Sequence, residues 1–288
     1  MALRREDDSE GNLVGIVPVR WGPDEGWEDL PGLNLDFSTL KGSSNSGRYL
    51  TGSSREQRSW IWSPDSGQRS LPPSANESPN LHGRGEAVSN DGRIVAGIQV
   101  DFPGNGNFPR ERATRWVDEE PEFLRDQYDA VLRWAYACND DCSVILGGDQ
   151  GADIPPDHPH AGQAWLWHEG HGAVYFGELP HANDWPNFAQ FASNDGSLAI
   201  GTYQKAQSTG VAGPVRTFLW TPSTGILSMT DVLSELGLSQ SRWNRVDPIG
   251  VSADGRRIAI RTSEEGTNVH TEWRAWVIEL APSRQAHE

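Results

Sequence analysis

Short runs in which apolar and polar residues alternate recur along the whole chain, each broken by the same polar turn. Four copies align without gaps: Ala87–Gly97 (AVSNDGRIVAG), Ala137–Gly147 (ACNDDCSVILG), Phe191–Gly201 (FASNDGSLAIG) and Gly250–Ile260 (GVSADGRRIAI). A fifth, Ser44–Gly52 (SNSGRYLTG), lacks the Asp, and a sixth, Ser9–Gly15 (SEGNLVG), is one residue shorter. Alternation on either side of an Asn-Asp-Gly tripeptide is the pattern of two strands joined by a tight hairpin, because Gly and Asn tolerate the backbone such turns require. The turn position falls at residues 11, 47, 92, 142, 196 and 255, an interval that suits one small sheet per repeat.

A second signature follows each turn: Val19-Arg20-Trp21, Trp60-Ile61-Trp62, Thr114-Arg115-Trp116, Trp165-Leu166-Trp167, Phe218-Leu219-Trp220 and Trp276-Val277-Ile278. Bulky residues two apart share one face of a strand, so this third strand carries an apolar pair into the contact between neighbouring sheets. Polar turns such as Ser63–Gly67 and Thr221–Gly225 come next, and then short fourth strands at Gln68–Leu71 and Ile226–Met229. Four short strands cannot bury both faces alone, and stacking them radially covers those faces and protects the edges. The pattern therefore predicts an all-β fold: a single β-propeller of six blades, mostly of four antiparallel strands. It would span residues 11–281 between disordered tails at 1–10 and 282–288. The first unit lacks its opening strand and the last its fourth. Thr230–Leu238 reads as a short helix between blades with Thr230 as N-cap, and Pro121–Arg133 as a second candidate helix.

Composition agrees with many turns and little helix: 31 Gly, 19 Pro and 13 Trp, with only two Met, in 288 residues. The net charge of −16 repels phosphate backbones, and the basic clusters (Arg110, Arg112, Arg115; Arg256, Arg257) are interrupted by or adjoin carboxylates, so nucleic acid is not an expected partner. No apolar run is long enough to span a membrane, and Met1–Asp8 has no secretory h-region. A monomer is expected.

The repeated Val-Ser-x-Asp-Gly-x-x-Val-x-Gly run, followed by an apolar-x-Trp strand, resembles the extracellular HAF-repeat family over nearly the whole chain. The most specific stretch is Met229-Thr230-Asp231-Val232-Leu233 with Gly237, Trp243, Gly250–Gly255, Gly266 and Ala275-Trp276-Val277. The resemblance implies a secreted or surface-displayed propeller and brings no catalytic residues. The chain departs from the pattern at Cys142, where the turn Gly belongs, and at Ile260, where the strand Gly belongs. A slighter similarity to TolB-type propeller repeats rests on Ser252–Ala259.

Candidate chemistry is sparse. The turn carboxylates could suggest calcium, but one or two per turn fall short of the six to eight oxygens that ion takes. The repeated Trp62, Trp116, Trp167 and Trp220 read as core. Trp27, Trp134, Trp185, Trp243 and Trp273 fall outside the repeated slots and are the candidates for ligand contact on connecting loops. Asp157, His158 and His160 lie in a His-rich stretch and could contribute to a metal or acid–base site, although no frame fixes them. Cys138 and Cys142 flank one hairpin turn, within reach of a disulfide. No motif calls for a cofactor. The leading expectation is a non-enzymatic binding propeller that recognises a glycan or a protein through loops 99–112, 148–163 and 202–215. The alternatives are a polysaccharide hydrolase or lyase using the 157–181 histidines, and a structural segment of a larger surface protein.

Overall fold

A computed structural model describes residues 2–7, 9–10, 13–22, 24, 26–33, 39–54, 56–74, 81–102, 110–148, 163–177, 188–206, 212–238, 243–264 and 273–280. Its contacts divide the chain into two compact units, residues 1–123 with the turn 140–142, and residues 124–139 with 143–288.

The first unit holds three antiparallel sheets that follow one another along the chain. The first is β1 (Ala2–Asp7), β2 (Leu13–Gly22) and β3 (Gly26–Asp29); the second is β4 (Thr39–Ser43), β5 (Leu50–Ser53), β6 (Ser59–Ser63) and β7 (Gly67–Ser70). The third is β8 (His82–Val88), β9 (Ile94–Asp101), β10 (Arg110–Val117) and β11 (Glu120–Phe123). In the second unit come β12 (Trp134–Cys138) to β15 (Gly172–Tyr175), through β13 (Val144–Gly148) and β14 (Ala164–His168). Next are β16 (Phe188–Ala192), β17 (Ala199–Ala206), β18 (Ala212–Thr221) and β19 (Gly225–Ser228). The last sheet, β20 (Trp243–Val251), β21 (Arg257–Glu264) and β22 (Arg274–Glu279), follows helix α1 (Met229–Glu235). Among the described residues four sheets have four strands and the first and last have three.

Several expectations are corrected. Ala2–Asp7 is a strand paired along β2, not a tail. The stretch 121–133 holds no helix; it finishes β11 and then forms a turn closed by the Arg125–Val131 bridge. The N-cap of α1 is Ser228, two residues earlier than Thr230, and its side chain makes no capping bond. The ends of two of the three long loops are strand: residues 99–101 and 110–112 extend β9 and β10, and residues 202–206 and 212–215 extend β17 and β18, while 103–109, 207–211 and, in the third loop, 149–162 lie outside the described residues. The 282–288 tail lies outside the described residues.

The aromatic strand is the core, as its period implies. Trp60 and Trp62 pack with Leu30, Leu33 and Leu50, and Trp116 with Ile61, Leu71, Val88 and Val95. In the second unit Phe218 and Trp220 join Leu146, Leu166 and Phe176, whose ring stacks on Trp220 at 4.3 Å. The repeated strand glycine explains how the aromatic fits. Gly52, Gly147 and Gly201 pair across the ladder with Trp60, Trp165 and Phe218, so the ring lies over a residue with no side chain. The last sheet replaces that glycine with Ile260, paired with Trp276; there the indole is 38% exposed and donates to Thr262 Oγ1 at 2.9 Å, while Ile260 fills the core.

Candidate ligand-binding surface

The Asn-Asp-Gly turns spend their polar groups on themselves. Ser89 donates to Asp91 Oδ1 at 2.6 Å, Arg93 N–H donates to the same oxygen at 3.0 Å, and Ile94 N–H donates back to Ser89 Oγ at 2.9 Å. The same bonds recur around Ser193 and Asp195 and around Ser252 and Asp254. The serine hydroxyl first, and then the backbone N–H, holds all three carboxyls below the ordinary Asp value of 3.8. These aspartates close hairpins. The turns also bond to one another within each unit: Asn45 N–H to Asn90 Oδ1 at 2.8 Å and Asn90 N–H to the Asp140 carbonyl at 2.7 Å in the first. In the second, Asn139 Nδ2 donates to the Asn194 carbonyl at 2.8 Å and Asn194 N–H to the Ala253 carbonyl at 2.9 Å.

Cys138 and Cys142 are disulfide-bonded to each other. Cys142 stands where the other turns have Gly and takes the same left-handed backbone, φ 52°, beside 74° at Gly92 and 68° at Gly196. A non-Gly residue is costly there, and the covalent link to Cys138 offsets that cost.

Four of the five tryptophans set apart as ligand contacts lie on or beside strands rather than on loops. Trp27 sits in β3 and is 57% exposed. Trp134 opens β12, half-buried, with its ring 5.4 Å from Tyr136 and 6.3 Å from Phe188; Tyr136 meets Phe188 edge-on at 5.2 Å. Trp273 precedes β22 and lies beneath two guanidinium groups. Trp243 opens β20, and nothing is described of its side chain. Trp185, Asp157, His158 and His160 lie outside the described residues. Of the remaining histidine-rich stretch, His168 and His171 have ring centres 6.5 Å apart, and burial, then His171, lowers the His168 pKa below 6.5 against the pull of Asp195. Among the described residues no group of three His, Cys, Asp or Glu side chains is arranged to hold a metal ion.

A feature that the repeat alignment did not bring out is a β-bulge at the same place in five first strands. The register slips between Leu40 and Gly42, Gly85 and Ala87, Ala135 and Ala137, Ala189 and Phe191, and Pro248 and Gly250. The extra residues are Lys41, Glu86, Tyr136, Gln190 and Ile249. A bulge leaves its residue out of the ladder and re-aims the side chain. These five share a structural position but not a chemistry, and none is fully buried. The signal was present in the sequence: each lies three residues before the turn Ser or Asn (44, 89, 139, 193, 252), mostly between small neighbours. The five repeats carry five different residues there.

In the first unit the bulges of β4 and β8 adjoin, since a Cβ on Gly42 would strike the Glu86 carbonyl oxygen at 2.3 Å. The Glu86 side chain is mostly buried and ion-paired to Arg84. Burial raises its pKa above 4.5, opposed by the charges of Arg84 and Lys41. In the second unit the equivalent Tyr136 belongs to the aromatic cluster with Trp134 and Phe188 on β12 and β16.

No protein-family model matches this sequence, and no curated protein does. Solved structures do resemble it in fold. The β-propeller domain of the Trilobed protease from Pyrococcus furiosus superposes with a TM-score of 0.51 at 12% identity, covering 98% of this chain and 79% of that one. An acylaminoacyl peptidase in complex with a chloromethyl ketone gives 0.50 at 10% identity, over 97% of this chain and 43% of its own. The putative TolB from Agrobacterium tumefaciens gives 0.49 at 10%, over 88% and 79%. At these identities the likeness concerns fold alone. Among the described residues no helix is long and apolar enough to cross a membrane. The chain is all-β, built of mostly four-stranded antiparallel sheets, and propeller-like.

Proposed function

We propose that this chain is a non-enzymatic binding propeller of the HAF-repeat type, acting outside the cell or at its surface, with its six sheets as blades and a glycan as its ligand. The first strands, rather than the connecting loops, carry recognition. The observation that supports this reading is the repeated bulge, which keeps one backbone position free of the ladder in sheet after sheet and fills it each time with a different side chain. In the second unit that position carries Tyr136, next to Trp134 and Phe188, a half-buried aromatic surface of the kind that covers the C–H face of a sugar ring.

The test is binding of the purified chain to an array of bacterial and plant polysaccharides, with product analysis on each positive spot. Binding without cleavage, weakened about tenfold or more by Tyr136→Ala or Trp134→Ala, is the expected result. A blank array overturns the glycan. A second reading, an enzyme acting on polysaccharide, is favoured by one feature, the buried Glu86 with its raised pKa beside Arg84 and Lys41. Cleaved products that disappear in Glu86→Gln would establish that reading in place of the first.

A further inference from the structure

On a chain of net charge −16, one place in the last sheet carries a fixed surplus of positive charge. Arg245 pairs across the ladder with Ser263 and Asp247 with Arg261, so alternation puts these four side chains on one face of β20 and β21. Asp247, 5% exposed, accepts Arg245 Nε at 2.7 Å and Arg261 Nε at 3.2 Å, and its Oδ2 lies 3.1 Å from a terminal nitrogen of Arg261. Both guanidinium groups also lie over the Trp273 ring, at 5.8 and 4.5 Å from its centre. One carboxylate thus holds two cations, and the indole stacks beneath them.

The bonds to Asp247 engage only part of the five N–H donors each guanidinium carries. Both side chains remain between two-fifths and one-half exposed, so donors face outward from a braced position. A second, independent observation comes from Ser263. It is fully buried, its Oγ has no hydrogen-bond partner, and the register puts it on the same face as the arginines. A buried hydroxyl beside two guanidinium groups can give its proton to an oxyanion that the same groups attract.

We infer that this face of β20 and β21 is an oxyanion-binding site built from Arg245, Arg261 and Ser263 and braced by Asp247 and Trp273, and that it takes the carboxylate of an acidic sugar. The oxyanion chemistry stands on the local geometry; the sugar as its bearer rests on the glycan reading above. A planar carboxylate suits the guanidinium fork, and the charge would make this propeller select acidic over neutral polysaccharides.

The experiment follows the Nε–Hε resonances of Arg245 and Arg261 by NMR in the full chain. It titrates an oligouronate, a neutral oligosaccharide of the same length, inorganic phosphate and an acidic peptide. The expected result is saturable movement of both resonances with the oligouronate at concentrations where the neutral oligosaccharide and the peptide leave them still. Arg245→Gln and Arg261→Gln should each weaken oligouronate binding about tenfold, and Ser263→Ala several-fold, with circular dichroism unchanged. If the neutral oligosaccharide binds as tightly and the arginine resonances do not move, the site is overturned while the glycan reading stands. If phosphate or the peptide moves them and no sugar binds, the acidic-sugar assignment and the glycan reading are both overturned. No movement with any of the four overturns the site.

Discussion

Replacing Gly201 by Ala tests the claim that the repeated strand glycine exists to make room rather than to turn the chain. A Cβ built on Gly201 would lie 1.9 Å from the Phe188 carbonyl oxygen and 2.7 Å from Phe218 Cζ. Ordinary contacts are more than 3 Å, so one neighbour must retreat by over an ångström. The first obstacle is the backbone of β16 and the second a fully buried ring, so neither gives way cheaply. Overpacking a tight site costs about 1–3 kcal/mol, and a backbone obstacle puts this site at about 3 kcal/mol. The smaller entropy of the unfolded Ala chain returns about 0.4–1 kcal/mol, leaving a net loss of about 2–3 kcal/mol. Gly170 is the control. Its φ is +77°, and an added Cβ meets nothing within 4 Å, so Ala there loses only the left-handed preference, about 1 kcal/mol. Equilibrium urea unfolding at constant m gives both values. If Gly201→Ala proves no more damaging than Gly170→Ala, the close approach of β16, β17 and β18 is not what selects the glycine, and the account of the aromatic slot fails with it.

Trp116 is almost fully buried and its Nε1 donates to the Pro72 carbonyl at 2.7 Å, so Trp116→Phe should cost about 0.5–1.5 kcal/mol through the lost hydrogen bond and Trp116→Ala about 3–5 kcal/mol, both read by urea unfolding. Reduction of the Cys138–Cys142 disulfide, which closes a very short loop, should lower stability by about 2 kcal/mol, measured by unfolding with and without reductant. The folded pKa values of Asp91, Asp195 and Asp254 lie below the ordinary value of 3.8, so their contribution is complete above that pH and is lost as pH falls through the lowered folded values. Carboxyl NMR titration should show Asp195 moving up toward 3.8 in Ser193→Ala, which removes the largest cause of its shift, with Asp91 unchanged as an internal reference.

The alternation and the turns made the strands legible because both signals are local. An Asn-Asp-Gly between two alternating runs leaves little else for the backbone to do, and Trp60, Trp62 and Trp116 are buried where period 2 puts them. What failed to show was partly non-local and partly a local turn that competes with helix. Ala2–Asp7 is a polar strand that owes its order to pairing with β2. The 121–133 stretch has a helix-like scatter of apolar residues, yet Asp126 Oδ1 accepts the N–H groups of Tyr128 and Ala130 and turns the chain back. Whether an aromatic outside the repeat stands on a loop or opens a strand depends on where the neighbouring strand ends, which explains why Trp134 and Trp243 were expected on loops and lie at strand starts.

The bulges show why a site can escape an alignment that finds the fold. A repeat is recognised by what its copies share, and the shared residues (the turn Ser and Gly, the strand Gly, the aromatic) are those the backbone and core demand. Recognition needs a position released from both demands. An extra residue in the first strand is such a position, since it pairs with nothing and can point away from the sheet contact without disturbing the register on either side. Selection can then vary Lys41, Glu86, Tyr136, Gln190 and Ile249 independently while each sheet stays intact. The same reasoning extends to the last sheet. There Ile260 has taken the glycine slot, and Trp276 has moved outward onto Thr262. Arg245, Asp247, Arg261 and Ser263 then occupy the face of β20 and β21 opposite to Thr262 and Ile260 in the alternation. The sheet that fills the glycine slot with a side chain is also the one that presents the two braced guanidinium groups.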